Sequence, residues 1–309
     1  MCGIAGIIYR NNPGELGQDM TRMLQSMKHR GPDSTGYALY GPTSPTVLVR
    51  YTLADANDPR DFDYLDRLHR HQREVLSRVE ALGAKVISAE AETEYAYRLT
   101  LGFEGDLKEL VDTIEDIPDA EVLSIGHSLE IVKDLGDAET VSDQYALDRF
   151  QGTHAIGHVR MATESDVDIA GAHPYWAYPF ADVAVVHNGQ LTNYFYWRRR
   201  LERSGHRFQS ECDSEIIAVY LAEKMQEGAS LEDSMRQSLE ELDGVFTYMC
   251  VTKDALGVCK DEMAAKPLVL YEGDDMVVLA SEEMAIRAII DHEIETVDPY
   301  EGEVLVWTR

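Results

Sequence analysis

Cys2 follows the initiator Met1 directly. If Met1 is removed, one residue carries both an α-amine and a thiol, with ordinary pKa values near about 8 and 8.5. The amine can then serve as the base for its own thiol nucleophile. Equally, Cys2 fits as a small residue ahead of a strand. Asn188-Gly189 follows the apolar run 183–187. An Asn amide beside an open Gly N–H can form an oxyanion hole. The same dipeptide is the standard residue pair of a tight hairpin.

Alternation along residues 157–163 puts His158 and Arg160 on one face of a strand. A fixed Arg suits two-pronged capture of a small carboxylate, and it also suits a plain strand end at the surface. Cys212-Asp213-Ser214-Glu215 opens an apolar helix. Asp213 is either its N-cap or a carboxylate reserved for an ammonium group. His173-Pro174 reads as a loop His with a structural role.

The order of these pieces is more specific than any one of them. Cys2-Gly3-Ile4 is followed by Arg30-Gly31-Pro32-Asp33-Ser34-Thr35-Gly36, then by 158–163, Ala172-His173-Pro174, His187-Asn188-Gly189 and Asp213-Ser214-Glu215. This series resembles the class II glutamine amidotransferases, whose nucleophile is an N-terminal Cys. The resemblance covers residues 1–50 and 152–309. With its long connection, the chain looks most like the stand-alone glutaminase subunits of archaeal-type glutamate synthase and N-methylglutamate synthase.

The resemblance implies an α+β fold, a four-layer αββα sandwich of the Ntn-hydrolase type, and hydrolysis of L-glutamine to glutamate and ammonia. It implies Cys2 as nucleophile, with Asn188 and Gly189 stabilising the oxyanion. It implies Arg160 on the substrate carboxylate and Asp213 on its ammonium. Thr163 and His173 fall at the glutamine loop and pocket edge, and Arg30 on the loop near the nucleophile. Met161 departs from the bulky aromatic that several relatives carry there. No metal is expected, and no cofactor in this chain. FMN, and iron–sulfur in some systems, belong to a separate synthase subunit that receives the ammonia. Other readings are the glutaminase of an aminosugar or nucleotide pathway, and a non-catalytic glutamine sensor.

Elements must position these residues. Residues 3–10 suggest a buried strand. Met20, Met23, Leu24 and Met27 recur at helical spacing within 17–28. Residues 29–36 form a loop. Residues 55–150 suggest an inserted small α/β subdomain, with helices at 61–82 and 106–115, strands at 85–88, 95–101 and 121–125, and short helices at 129–135 and 142–150. Beyond 152, strands and helices alternate closely, and Ser281 is a candidate N-cap for a helix over 281–290.

Composition excludes several classes. The chain has 309 residues, with 28 Lys and Arg against 56 Asp and Glu, a net charge of −28. Such an acidic chain is ill suited to nucleic-acid phosphates or anionic membranes. No apolar run reaches the roughly 18 residues of a spanning helix. The start lacks a basic segment ahead of its apolar run, so a cytoplasmic location is expected. Four scattered Cys make neither a disulfide framework nor a metal pair.

Overall fold

The structure, a computed structural model, describes residues 2–162 and 167–309. Strand β1 (Gly3–Tyr9) is buried along its whole length, which explains its unbroken apolar sequence. Helix α1 (Leu16–Ser26) buries Leu16, Met20, Met23 and Leu24 as one stripe. The turn Lys28–Arg30 leads into β2 (Ser34–Tyr40), then β3 (Val47–Thr52). Next come α2 (Tyr64–Ala81), β4 (Lys85–Ala91), β5 (Ala96–Gly102) and α3 (Leu107–Glu115). The Asp106 side chain caps α3 by accepting the Lys108 N–H.

Then follow β6 (Glu121–Gly126), β7 (Leu129–Leu135) and α4 (Ala138–Gln144), capped by Asp137. Strands β8 (His154–Arg160), β9 (Tyr175–Trp176) and β10 (Ala184–Leu191) precede the helices α5 (Tyr194–Arg203), α6 (Asp213–Gln226) and α7 (Leu231–Glu241). The chain closes with β11 (Gly244–Thr252), β12 (Ala255–Lys260), β13 (Val269–Glu272), β14 (Met276–Ala280), α8 (Glu283–Arg287) and β15 (Val304–Thr308).

Three antiparallel sheets result, ordered β13-β14-β1-β8-β2-β7, β15-β12-β11-β10-β9 and β4-β5-β3-β6. The first two face each other, β1 and β8 against β10, β11 and β12. They approach closely at Gly6, where an added Cβ would lie 2.8 Å from the Met249 sulfur. Helices α1, α4 and α8 cover the first sheet, and α6 and α7 the second, with α5 against α6. The layers therefore run helix, sheet, sheet, helix.

The span 55–150 divides between two structures. The third sheet takes β3, which lies before residue 55, and is covered by α2 and α3. Strand β7 and helix α4, both inside the span, return to the sandwich, β7 pairing with β2 and α4 packing on α1. Residues 129–135 are thus a strand, contrary to the helix expected. The segment is buried on both faces, so it shows no alternation to mark it, and only its β-branched Ile131 and Val132 hint at a strand. The expected helix over 142–150 is likewise α4 ending at Gln144 and a short turn, Leu147–Arg149.

Asp182 ties the third sheet to the sandwich. Its carboxylate accepts the backbone N–H groups of His127, Ser128 and Leu129, the turn joining β6 to β7. One apolar core runs from Ile4 and Met249 between the main sheets to Tyr51, Val75 and Leu110 in the third-sheet region.

Candidate active site

Cys2 sits half-buried just before β1, beside the end of β8. Its Sγ accepts the Met161 backbone N–H at 3.4 Å. Its carbonyl oxygen accepts two side-chain donors, Arg30 Nε at 3.0 Å and Asn188 Nδ2 at 3.2 Å. Three residues expected at the site from sequence are therefore in direct contact. The other thiols are poorly suited to attack. Burial pushes Cys212, Cys250 and Cys259 up, the last to about 12.

Arg30 lies at the end of the turn after α1, and Gly31 lets that turn press on β8. An added Cβ there would meet the Arg160 backbone nitrogen at 2.6 Å. Asp33 completes the motif. Its carboxylate accepts the Ala162 N–H at 2.8 Å, and its own N–H donates to the Arg160 carbonyl. The 30–33 segment thus shapes the chain on both sides of Met161.

Asn188 and Gly189 lie on β10, opposite Thr247 and Phe246 of β11. The dipeptide is not a hairpin tip. Gly189 has φ +145, in the region that favours glycine. A Cβ there would fall 2.0 Å from the Val245 carbonyl oxygen. Only glycine fits, and Gly189 is exposed at the site while Asn188 is buried.

Arg160 ends β8 and is largely buried, its guanidinium passing within 3.0 Å of where a Gly171 Cβ would be. His173 stacks on His158 with centroids 4.1 Å apart. The His187 N–H donates to His173 Nδ1 at 3.4 Å. Ser214 Oγ joins the rings, 3.3 Å from His173 Nε2 and 2.9 Å from His187 Nδ1. Burial, then the neighbouring His187 ring and the Arg160 charge, lowers His158 to about 3. Burial, then the neighbouring His158 and His187 rings and the Arg160 charge, holds His173 well below its usual value. Both imidazoles are therefore neutral at neutral pH, and His173 acts by packing and hydrogen bonding.

Asp213 is the first residue of α6, and its cap position is taken by Cys212. Its Oδ2 accepts the Leu191 N–H at 2.7 Å, and Oδ1 lies 3.6 Å from His187 Nδ1. Burial pushes this carboxyl up, but the His187 contact and the Leu191 N–H outweigh it, leaving a carboxylate below the usual range. Thr163 lies outside the described residues. Among the described residues no group of three or more His, Cys, Asp or Glu is arranged to hold a metal ion.

Two contributors were missed in the sequence. Ser281, expected as an N-cap, instead accepts the Ile4 N–H at 3.0 Å, and Glu282 pairs with Arg30 at 2.5 Å. Helix α8 has no side-chain cap and starts at Glu283. An acceptor residue before a short helix looks like a cap, and nothing local in the sequence points across to β1.

The chain superposes with a TM-score of 0.62 on a solved allosteric regulatory enzyme of purine biosynthesis, at 20% identity over 99% of this chain and 47% of that one. The glutamine phosphoribosylpyrophosphate amidotransferase from B. subtilis gives the same TM-score at 19% identity. This chain spans about half the length of those two chains, 47% of each. These matches define a mixed α+β fold of the kind found in amidotransferases. The description "Glutamine amidotransferase domain" matches residues 158–288.

A protein of Methanothermobacter thermautotrophicus named "Putative glutamine amidotransferase" is 39% identical over 311 residues, covering 99% of both chains. The glutamine amidotransferase-like protein GlxB of Rhizobium meliloti is 34% identical over 310 residues, covering 99% of this chain and 98% of that one. The chain belongs to the class II glutamine amidotransferase family.

Proposed function

We infer that the chain is a glutaminase subunit of the Ntn-hydrolase type, releasing ammonia for a separate synthase subunit. The observation that carries this reading is the convergence of Arg30 and Asn188 on the Cys2 carbonyl, with the Gly189 N–H one residue away on the same strand.

In the processed chain the Cys2 α-amine accepts the thiol proton as sulfur attacks the side-chain amide carbon of glutamine. The oxyanion is received by the Gly189 N–H and by the Asn188 N–H released from the longer Ser281 contact at 3.4 Å, while the other Asn188 N–H stays on the Cys2 carbonyl. The C–N bond breaks as the amine returns its proton to the leaving ammonia. Water, deprotonated by the same amine, then cleaves the thioester to give glutamate and the free thiol.

Arg160 binds the substrate α-carboxylate and Asp213 its α-ammonium, so the net-neutral zwitterion is read by two opposite local charges. Thr163 and His173 contribute to glutamine binding. This chain's own residues need no metal or cofactor. FMN, with iron–sulfur in some assemblies, resides in the partner subunit, and the complex is cytoplasmic. No helix of the described residues is long and apolar enough to cross a membrane.

The test is release of glutamate and ammonia from L-glutamine by the purified protein with its synthase subunit, compared with Cys2→Ala. Loss of release in Cys2→Ala supports the reading, and equal release by both proteins defeats it.

A further inference from the structure

Two adjacent residues after β14 hold the two groups that grip Cys2. Ser281 is 2% exposed. Its N–H donates to the Ile4 carbonyl at 2.9 Å and its Oγ accepts the Ile4 N–H at 3.0 Å. The Asn188 amide nitrogen donates to the same Oγ at 3.4 Å. Ser281 therefore grips β1 two residues from Cys2 while restraining the Asn188 amide.

Glu282 serves the other donor. It takes Arg30 Nη1 at 2.5 Å and His29 Nε2 at 3.2 Å. Burial pushes its carboxyl up, but the hydrogen bonds and charges of Arg30 and His29 outweigh it and keep it ionised. The Arg30 side chain is only 10% exposed. A guanidinium held that firmly can keep Nε on the Cys2 carbonyl. With both oxygen lone pairs engaged, the orientation of Cys2 is fixed, and with it the direction of the thiol and the amine.

The geometry points to Ser281 and Glu282 as positioning residues for Cys2, Glu282 acting through Arg30 and Ser281 through Asn188. The inference rests on the glutaminase reading above and adds to it a device that neither the nucleophile nor the oxyanion donors supply.

The experiment compares Ser281→Ala, Glu282→Gln and Glu282→Asp by two readouts, glutamine hydrolysis and the pH dependence of Cys2 alkylation by iodoacetamide. Misaligning a reacting group lowers kcat by about tenfold to a hundredfold with KM changed less than about twofold, expected for Ser281→Ala and Glu282→Gln. Glu282→Asp restores most of kcat. Glu282→Gln leaves Arg30 uncompensated, which favours the thiolate, so half-maximal alkylation moves to lower pH. Ser281→Ala, a neutral change, leaves that pH in place.

Unchanged kcat in the folded variants overturns the proposal. So does a rise in KM alone, or the same alkylation profile for Glu282→Gln and Glu282→Asp. Should the wild type release no glutamate, the glutaminase reading falls, while the alkylation profiles still decide the positioning role.

Discussion

The Asp213 carboxylate accepts the Leu191 N–H at 2.7 Å, which ties the first turn of α6 to the strand that carries Asn188 and Gly189. In the proposed mechanism this registers the carboxylate assigned to the substrate ammonium against the residues assigned to the oxyanion. Asp213→Asn keeps an oxygen for Leu191 and removes the charge. Loss of one charge-assisted hydrogen bond, about 1.5–3 kcal/mol, raises KM for glutamine tenfold to a hundredfold, with kcat little altered. Steady-state kinetics checks this, and an unchanged KM would remove Asp213 from substrate binding.

Gly189→Ala combines φ +145 with a Cβ 2.0 Å from the Val245 carbonyl. The β10–β11 pairing must open to admit it. We expect a stability loss of about 2 kcal/mol or more and no measurable turnover. Urea unfolding together with the glutaminase assay reads both, and a stable, active Gly189→Ala protein would contradict the close approach.

The sequence made the local parts of the site legible. Cys2, Asn188-Gly189 and Arg160 each have an ordinary structural reading, and it is their order along the chain that points to a common site. What escaped is long-range. Ser281 reaches Ile4 across 277 positions and Glu282 reaches Arg30 across 252. Their local setting, a polar pair before a helix, suggests capping. The doubly buried β7 hid its strand character for want of alternation. The limits of the third sheet were hidden because β3, which belongs to that sheet but lies before residue 55, reads like any strand of the sandwich.

Asp182 holds the 127–129 turn by three backbone N–H groups and the Ser128 hydroxyl, itself at φ +56. Asp182→Ala orphans those donors at the joint between the third sheet and the sandwich. Leaving buried donors unpaired costs at least about 2 kcal/mol in total. Asp182→Asn, which also tolerates positive φ and keeps one oxygen, loses less. Chemical denaturation of the two variants orders them, and equal stability to wild type in Asp182→Ala would show that the clamp contributes nothing.

His158, lowered to about 3, favours the unfolded chain once protons are available, because an unfolded His titrates near 6.5. The sign follows from linkage. Its contribution is complete above about pH 6.5 and is lost progressively as pH falls toward about 3. Glu115, raised to about 7 by burial despite Arg207, works in the opposite direction between its ordinary value and about 7. The diagnostic quantity is therefore a difference. Between pH 6.5 and 4.5 the wild type loses more stability than His158→Phe, measured by denaturation at each pH. Parallel losses would refute the buried neutral imidazole.

In the proposed mechanism one residue supplies both the nucleophile and its base, which requires an unblocked Cys2 amine. The direct measurement pairs intact-mass spectrometry with glutamate release, using preparations that differ in the fraction of chain lacking Met1. The expected rate is proportional to that fraction and falls to zero when Met1 is fully retained. A chain that keeps Met1 and turns over glutamine at the processed rate would contradict it.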